Sequence, residues 1–311
     1  MTAPASLAPK TGASALRVLL RCPRCGKPLS WQAETVICDE GHASPCVHGV
    51  PCLVRAVWEG EQAELNRRTS AFFGDQWTRL GEDARVDMDD LLLHLPAGWS
   101  AGVFSGVVLD AGCGAGRYTA LVAQCGAAAI GMDVSESVLA ASRVWPEAAF
   151  VQADLAAPPF APATFDVVYS FGVLHHLPDP IRGLSACFEL VKPGGVLLAW
   201  VYSDHGGIFR RARVTVRRLV RRVPVLLEPA AGAAAVALAL SQRLDSRRLT
   251  FYRGRSLRQI YVDCHDALAA PVEVYLSEDD CRAWLSMLPA REAGAERRRD
   301  GSGWILWARR A

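Results

Sequence analysis

GVVLDAGCGAGRYT, residues 106–119, carries the clearest structural instruction in this 311-residue chain. Val107, Val108 and Leu109 run without a polar break and stop at Asp110, the pattern of a parallel strand buried on both faces. Glycines follow at 112, 114 and 116, alternating with small residues. A strand that ends in an acid and opens into a turn so poor in side chains lets the backbone approach a ligand lying over the strand's carboxyl end. A dinucleotide fingerprint, G-x-G-x-x-G, puts its third glycine where this chain has Arg117. Here the third glycine comes one residue early.

The pattern D-x-G-x-G-x-G resembles motif I of class I S-adenosylmethionine-dependent methyltransferases. The resemblance implies that Asp110, Gly112, Gly114 and Gly116 lie against the amino-acid part of the cofactor, with no pyrophosphate to bind. Strands and helices then alternate as a doubly wound sheet requires. Ala128 to Asp133 reads as the second strand, ending in a carboxylate able to accept both ribose hydroxyls of an adenosine. A cap for the helix beginning near Ser135 is the competing use of Asp133. The third strand, Ala149 to Ala153, ends at Asp154-Leu155. In the family this acid receives the adenine amino group and the next residue packs on the ring. Val134 and Phe171 complete the expected cofactor contacts.

Residues 165–179, FDVVYSFGVLHHLPD, resemble the segment after strand four in the small-molecule branch of the family, which includes quinone-biosynthesis enzymes. The Asn/Asp-Pro-Pro-aromatic clamp common in enzymes that methylate base amines is replaced by Phe171-Gly172-Val173-Leu174. Lys192-Pro193-Gly194-Gly195 reads as a turn into the fifth strand, Val196 to Val201, and Arg291–Arg298 with Gly303–Ala308 as a closing hairpin. The fold class expected is α/β: a Rossmann-like, doubly wound, seven-stranded sheet.

His175 and His176, at the exit of strand four, are the candidate catalytic residues for an oxygen or carbon acceptor. In extended chain adjacent side chains point opposite ways, so at most one faces the pocket. A wall role without proton transfer is the alternative.

Upstream, Cys22-Pro23-Arg24-Cys25-Gly26 is a zinc knuckle, and Cys38 to His42 supplies a second half-site. Together they give C-x2-C-x12-C-x3-H, the ligand set of a closed structural zinc. His42 is the first choice for fourth ligand; Cys46 in its place, or ordinary buried cysteines, remain open. Cys46, His48 and Cys52 are otherwise expected to pack beneath the ribbon. The spacing is similar to that of ribosomal RNA guanine-N1 methyltransferases, and His48-Gly49-Val50-Pro51 resembles small zinc-ribbon activators of methyltransferases.

Composition sets outer bounds. Apolar residues make up 51% of the chain and the net charge is +2, so no overall field recruits nucleic acid. Several of the ten cysteines, including Cys125, Cys187 and Cys281, sit in apolar runs as small core residues do, which points to a reducing cytoplasm. Residues 1–18 read as a disordered leader without a signal peptide. The uncharged stretch Pro229–Gln242 is shorter than the roughly 20 residues of a membrane span, so no span is expected. Between Trp58 and Gly106, one helix is expected from Glu61 to Phe73, ended by Gly74, and another from Asp87 to Leu95. Trp77 and Trp99 read as core.

Residues 205–250 form a helical lid insertion. Over 208–223 Phe209, Ala212, Val216, Leu219, Val220 and Val223 share one helical face, with seven arginines elsewhere. The plain expectation is a lid helix with its apolar face packed inward and its arginines solvated; gripping an acidic substrate, anionic lipid or RNA backbone are the alternatives. Tyr252, Tyr261 and His265 lie near enough in sequence to reach the acceptor but carry no spacing signal.

The sequence therefore predicts a zinc ribbon at 19–57 and a methyltransferase domain at 58–311. It predicts S-adenosylmethionine and structural zinc as cofactors and a small-molecule acceptor, with an acidic or lipid-linked acceptor and peripheral membrane contact through 208–223 as options that the arginine-rich helix leaves open. The alternatives are an RNA methyltransferase and an inactive zinc-ribbon interaction protein. Acceptor atom and oligomeric state are not legible.

Overall fold

The structure is a computed structural model and describes residues 11–54, 61–80, 86–204, 207–241 and 256–311. It begins with a helix, α1 (Gly12–Leu19), where the sequence suggested a disordered leader. Thr11 caps it, Ala15 and Leu16 are buried, and a Cβ on Gly12 would fall 2.1 Å from the Ala129 carbonyl oxygen. That close approach seats the helix on the main sheet, and the Ala-rich composition concealed it.

Four short strands follow: β1 (Ser30–Trp31), β2 (Thr35–Ile37), β3 (Ala43–Val47) and β4 (Val50–Pro51), in the order β1-β2-β3-β4. Beyond β4, the Leu53 amide bonds the Gln152 carbonyl at 2.8 Å. Leu29, Val36 and Leu53 join one core with Ile130, Val151 and Leu155. The boundary expected near residue 57 is thus not a break in packing.

Next come α2 (Glu61–Leu80) and α3 (Met88–Leu92). Gly74 does not end α2. A helix-interior glycine costs only about 1 kcal/mol, and here it permits close packing, since a Cβ would lie 3.3 Å from Ser135 Cβ.

The apolar run at 107–109 becomes β5 (Val107–Ala111), buried along its length. It leads to α4 (Arg117–Gln124), β6 (Ala128–Asp133), α5 (Ser137–Val144), β7 (Ala149–Gln152), β8 (Phe165–Phe171), α6 (Pro180–Leu190) and β9 (Val191–Tyr202). The predicted turn at 192–195 lies inside β9, where the pairing with β8 shifts register between Phe165 and Val167. The insertion holds α7 (Gly207–Arg222) and α8 (Leu227–Ser241), followed by α9 (Leu257–Ala269). Ser277 caps α10 (Glu278–Ser286), and β10 (Ala290–Arg297) with β11 (Gly303–Arg310) closes the chain. Sheet order is β10-β11-β9-β8-β5-β6-β7, with β5 to β9 parallel and the hairpin antiparallel. Successive connections leave β5 in opposite directions across the sheet, so the crevice at the carboxyl ends of β5 and β8 is the switch point where ligands bind.

Three expectations fail here. Cys125 and His48 are exposed, and the apolar face of α7 is not packed inward as a unit: of its described members Val220 is buried, while Val216, Leu219 and Val223 are exposed. Val225–Leu227 also extend the apolar stretch upstream, on the far side of Glu228. Pro224–Ser241, 18 residues at mean hydropathy 1.6, is long and apolar enough by length and composition to span a membrane. The side chains of Trp77 and Phe209, and all of Tyr252, lie outside what is described.

Candidate functional site

The glycine turn after β5 takes left-handed backbone at Gly112, Gly114 and Gly116. At Gly112 this combines with close packing, since φ is +92° and a Cβ would stand 2.4 Å from Val173 Cγ2 of the loop after β8. Gly112→Ala should therefore strain the backbone and push that loop outward. The expected loss is about 2–5 kcal/mol of stability, checked by thermal denaturation, with weakened cofactor binding in a titration of the same protein.

Asp133, at the end of β6, holds this turn in place. Its Oδ2 accepts from the Gly114 amide at 2.8 Å, and its Oδ1 accepts from the Ser135 amide and hydroxyl at 2.8 and 2.7 Å. The capping use and the ligand-facing use are therefore not exclusive, because the carboxylate also lines the crevice. Asp110 is buried and accepts from the Thr119 hydroxyl at 2.7 Å. Burial raises its pKa to about 7, against the pull of that bond. Val134 and Phe171 line the same crevice, and Phe171 stacks on His94 with ring centroids 4.5 Å apart.

Asp154 and Leu155 do not join them. Leu155 is buried in the core, and Asp154 Oδ1 accepts from its own turn's Ala156 amide at 2.8 Å; neither lines the crevice.

The crevice opens into a cavity of 1280 Å³ reaching α7, α8 and α9. The two histidines meet it differently. Residues 174–176 form a 3-10 turn rather than extended chain, so the rings lie together, with centroids 4.1 Å apart. His175 is fully buried off the cavity wall, its ring tilted against Tyr202 with centroids 4.0 Å apart, and among the described residues neither ring nitrogen is hydrogen-bonded. Burial holds its pKa well below the ordinary value. His176 lines the cavity and donates from Nδ1 to the Val272 carbonyl at 2.9 Å. Nε2 thus carries the lone pair of the neutral ring and sits 3.7 Å from Asp266 Oδ2.

Asp266 escaped the sequence reading. It lies on α9, buried on the cavity wall, and its Oδ2 accepts from the Tyr202 hydroxyl at 3.3 Å. Its Oδ1 is buried with no hydrogen-bond partner among the described residues. Burial raises its pKa to about 7, restrained by Tyr202 and Arg217. The available signal was the spacing of Gln259, Asp263 and Asp266, which puts three polar groups on one face of α9. Tyr261 and His265 do not line the cavity: Tyr261 bonds Glu228, and His265 stacks on Phe72 at 5.7 Å.

Nearby, the Arg217 guanidinium donates to Glu273 and to the Ala267 carbonyl, and Arg221 donates to the Pro271 carbonyl at 2.9 Å. These arginines satisfy carbonyls at and beyond the carboxyl end of α9, where cations are favoured.

In the N-terminal ribbon, Cys22, Cys25, Cys38 and His42 offer ligand atoms that all lie within 4.8 Å of one another. The closest separations are 3.5 Å for Cys38 Sγ to His42 Nδ1 and 3.6 Å for both Cys22 Sγ to His42 Nδ1 and Cys25 Sγ to Cys38 Sγ. Zn–S bonds of about 2.3 Å at tetrahedral angles imply S···S separations near 3.8 Å, so the donor set suits zinc. Cys46 lies outside this group.

Residues 109–199 match a family described as a methyltransferase domain. This region is a methyltransferase domain. The chain is 41% identical over 101 residues to a ubiquinone biosynthesis O-methyltransferase of Pseudomonas paraeruginosa, covering 30% of this chain and 44% of that protein. It is 31% identical over 131 residues to the protein of the same description from Klebsiella pneumoniae, covering 40% and 54%. The chain thus spans about half the length of these curated relatives. Among solved structures, a Burkholderia thailandensis 1,6-didemethyltoxoflavin-N1-methyltransferase aligns over 91% of this chain and 99% of that one, at 16% identity and a TM-score of 0.49. The methyltransferase domain accounts for the glycine turn, Asp133 and the loop after β8; the ribbon, α7, α8 and α9 lie outside the matched residues.

Proposed function

We propose that this chain transfers a methyl group from S-adenosylmethionine to a hydroxyl oxygen of a small molecule with an apolar, lipid-like portion. One observation carries the reading: a single cavity is bordered by the glycine turn with Asp133 and by Asp266, a buried carboxylate with one unpartnered oxygen. When bound, the cofactor supplies an electrophilic methyl on a sulfonium. The turn's backbone and Asp133 would hold it, and the cavity walls would position the acceptor. The acceptor hydroxyl would donate to Asp266 Oδ1, and the carboxylate would take its proton as the oxygen–methyl bond forms. His176, neutral and fixed by Val272, would face the same proton from Nε2. The oxygen acceptor is in keeping with the description of the relatives, and alanines 230, 234 and 237 of α8 give the cavity an apolar arm.

The test is S-adenosylhomocysteine release with a panel of acceptors. Turnover is expected with alkyl-substituted phenols and not with the same compounds lacking the hydroxyl. Turnover on RNA alone would reject the reading. RNA is disfavoured because the loop after β8 carries Phe171-Gly172-Val173-Leu174 in place of the Asn/Asp-Pro-Pro-aromatic clamp.

We further propose that the ribbon binds one structural zinc through Cys22, Cys25, Cys38 and His42, in a cytoplasmic protein. Because ribbon and sheet share a core, Cys25→Ser should remove the zinc and lower the melting temperature by on the order of 10 °C. Metal analysis and thermal denaturation of that variant beside Cys46→Ser, expected to keep its zinc, check this.

A further inference from the structure

α8 is apolar on every side except for Glu228 and the terminal Ser241, a pattern typical of a helix surrounded by protein or lipid. Only one side is covered. Ala231 and Ala235 are buried against Ile260, Cys264 and Leu268 of α9. On the other side Pro229, Val236 and Leu240 are exposed, Leu240 to 64%, and Val225, in the turn just before the helix, is exposed to 78%. The neighbouring α7 is turned the same way: Arg217 is drawn inward by Glu273, while Val216, Leu219 and Val223 face out beside the exposed Arg218 and Arg222.

Residues 207–241 contain seven arginines and one acid, Glu228. An occupant of this face must cover apolar side chains on two helices and carry negative charge. We propose that α7 and α8 dock on an anionic lipid bilayer, with the exposed row of α8 in the acyl boundary and Arg218 and Arg222 among the headgroups. The packing of α8 along α9 keeps the helix in the membrane plane rather than across it. Val216, Ala230 and Ala234 also wall the cavity, so an amphiphilic acceptor would enter from the lipid side.

The docking is independent of methyl transfer and is tested without cofactor or acceptor. The purified full chain is floated with vesicles of phosphatidylcholine alone or mixed with phosphatidylglycerol. Binding is expected on the mixed vesicles, weaker by at least about tenfold on phosphatidylcholine and on raising the salt. Leu240→Asp and the Arg218→Glu/Arg222→Glu pair should each reduce it about as much. These exposed positions leave the core intact, and the wild-type comparison of vesicles and salt needs no variant. No binding to mixed vesicles, equal binding to both vesicles, or retention through an alkaline carbonate wash, as for a spanning helix, would overturn the proposal. So would a dimer in solution that Leu240→Asp dissolves, with no lipid binding.

Discussion

Asp266→Asn should lower kcat by about 100-fold or more, the usual contribution of a positioned general base, while leaving S-adenosylmethionine affinity within about twofold. The carboxylate is buried, its Oδ1 is unpartnered, and its pKa is raised to about 7. Below that value the group is protonated and cannot accept the acceptor's proton. The wild-type rate should therefore fall about tenfold per pH unit below 7, and the variant's residual rate should lose that limb. The stability effect has the opposite sign. A carboxyl whose folded pKa is raised from 3.8 to about 7 stabilises the fold when both states are protonated, and that contribution is lost as pH rises through 7. At pH 8 the buried charge is a burden, so Asn at 266 should raise stability by on the order of 1–3 kcal/mol. Stopped-time rate assays and thermal denaturation of one protein batch at pH 5 to 8 test both signs. A variant that loses activity and stability together at pH 8 would make Asp266 a structural residue.

Asp133→Ala should weaken S-adenosylmethionine binding by about 100-fold. Two losses combine. Charge-assisted hydrogen bonds to the ribose are worth about 1.5–3 kcal/mol each, and the Gly114 and Ser135 amides that Asp133 now receives lose their acceptor. Asp133→Asn separates the two, since its amide oxygen can keep one amide bond while the negative charge goes. It should fall between wild type and alanine in a calorimetric titration. An alanine variant that binds like wild type would remove Asp133 from the cofactor site.

The legible part of this protein was the part encoded locally. Strand β5, the glycine turn and Asp133 follow one another within 27 residues, and each is placed by backbone rules that act over a few positions. The cysteine spacing likewise contained its own geometry. What escaped depends on distant partners. The orientation of α7 follows from an arginine drawn to Glu273, more than fifty residues away, against the inward pull of its apolar row. Where Leu155 lies depends on how the loop after β7 packs, and it comes to rest near Gly183 of α6. His175 and His176 were read as extended chain, and a 3-10 turn brought their rings side by side. Asp266 carries no motif; its importance comes from burial next to Tyr202 and His176, which no spacing announces.

The central claim, that the cavity at the ends of β5, β6 and β8 takes S-adenosylmethionine, is tested most directly by calorimetric titration of the wild-type protein with that cofactor. The account predicts one site of micromolar affinity, with S-adenosylhomocysteine competing for it and a dinucleotide failing to do so. A folded protein that shows no heat of binding with S-adenosylmethionine, or that binds a dinucleotide in its place, would contradict it.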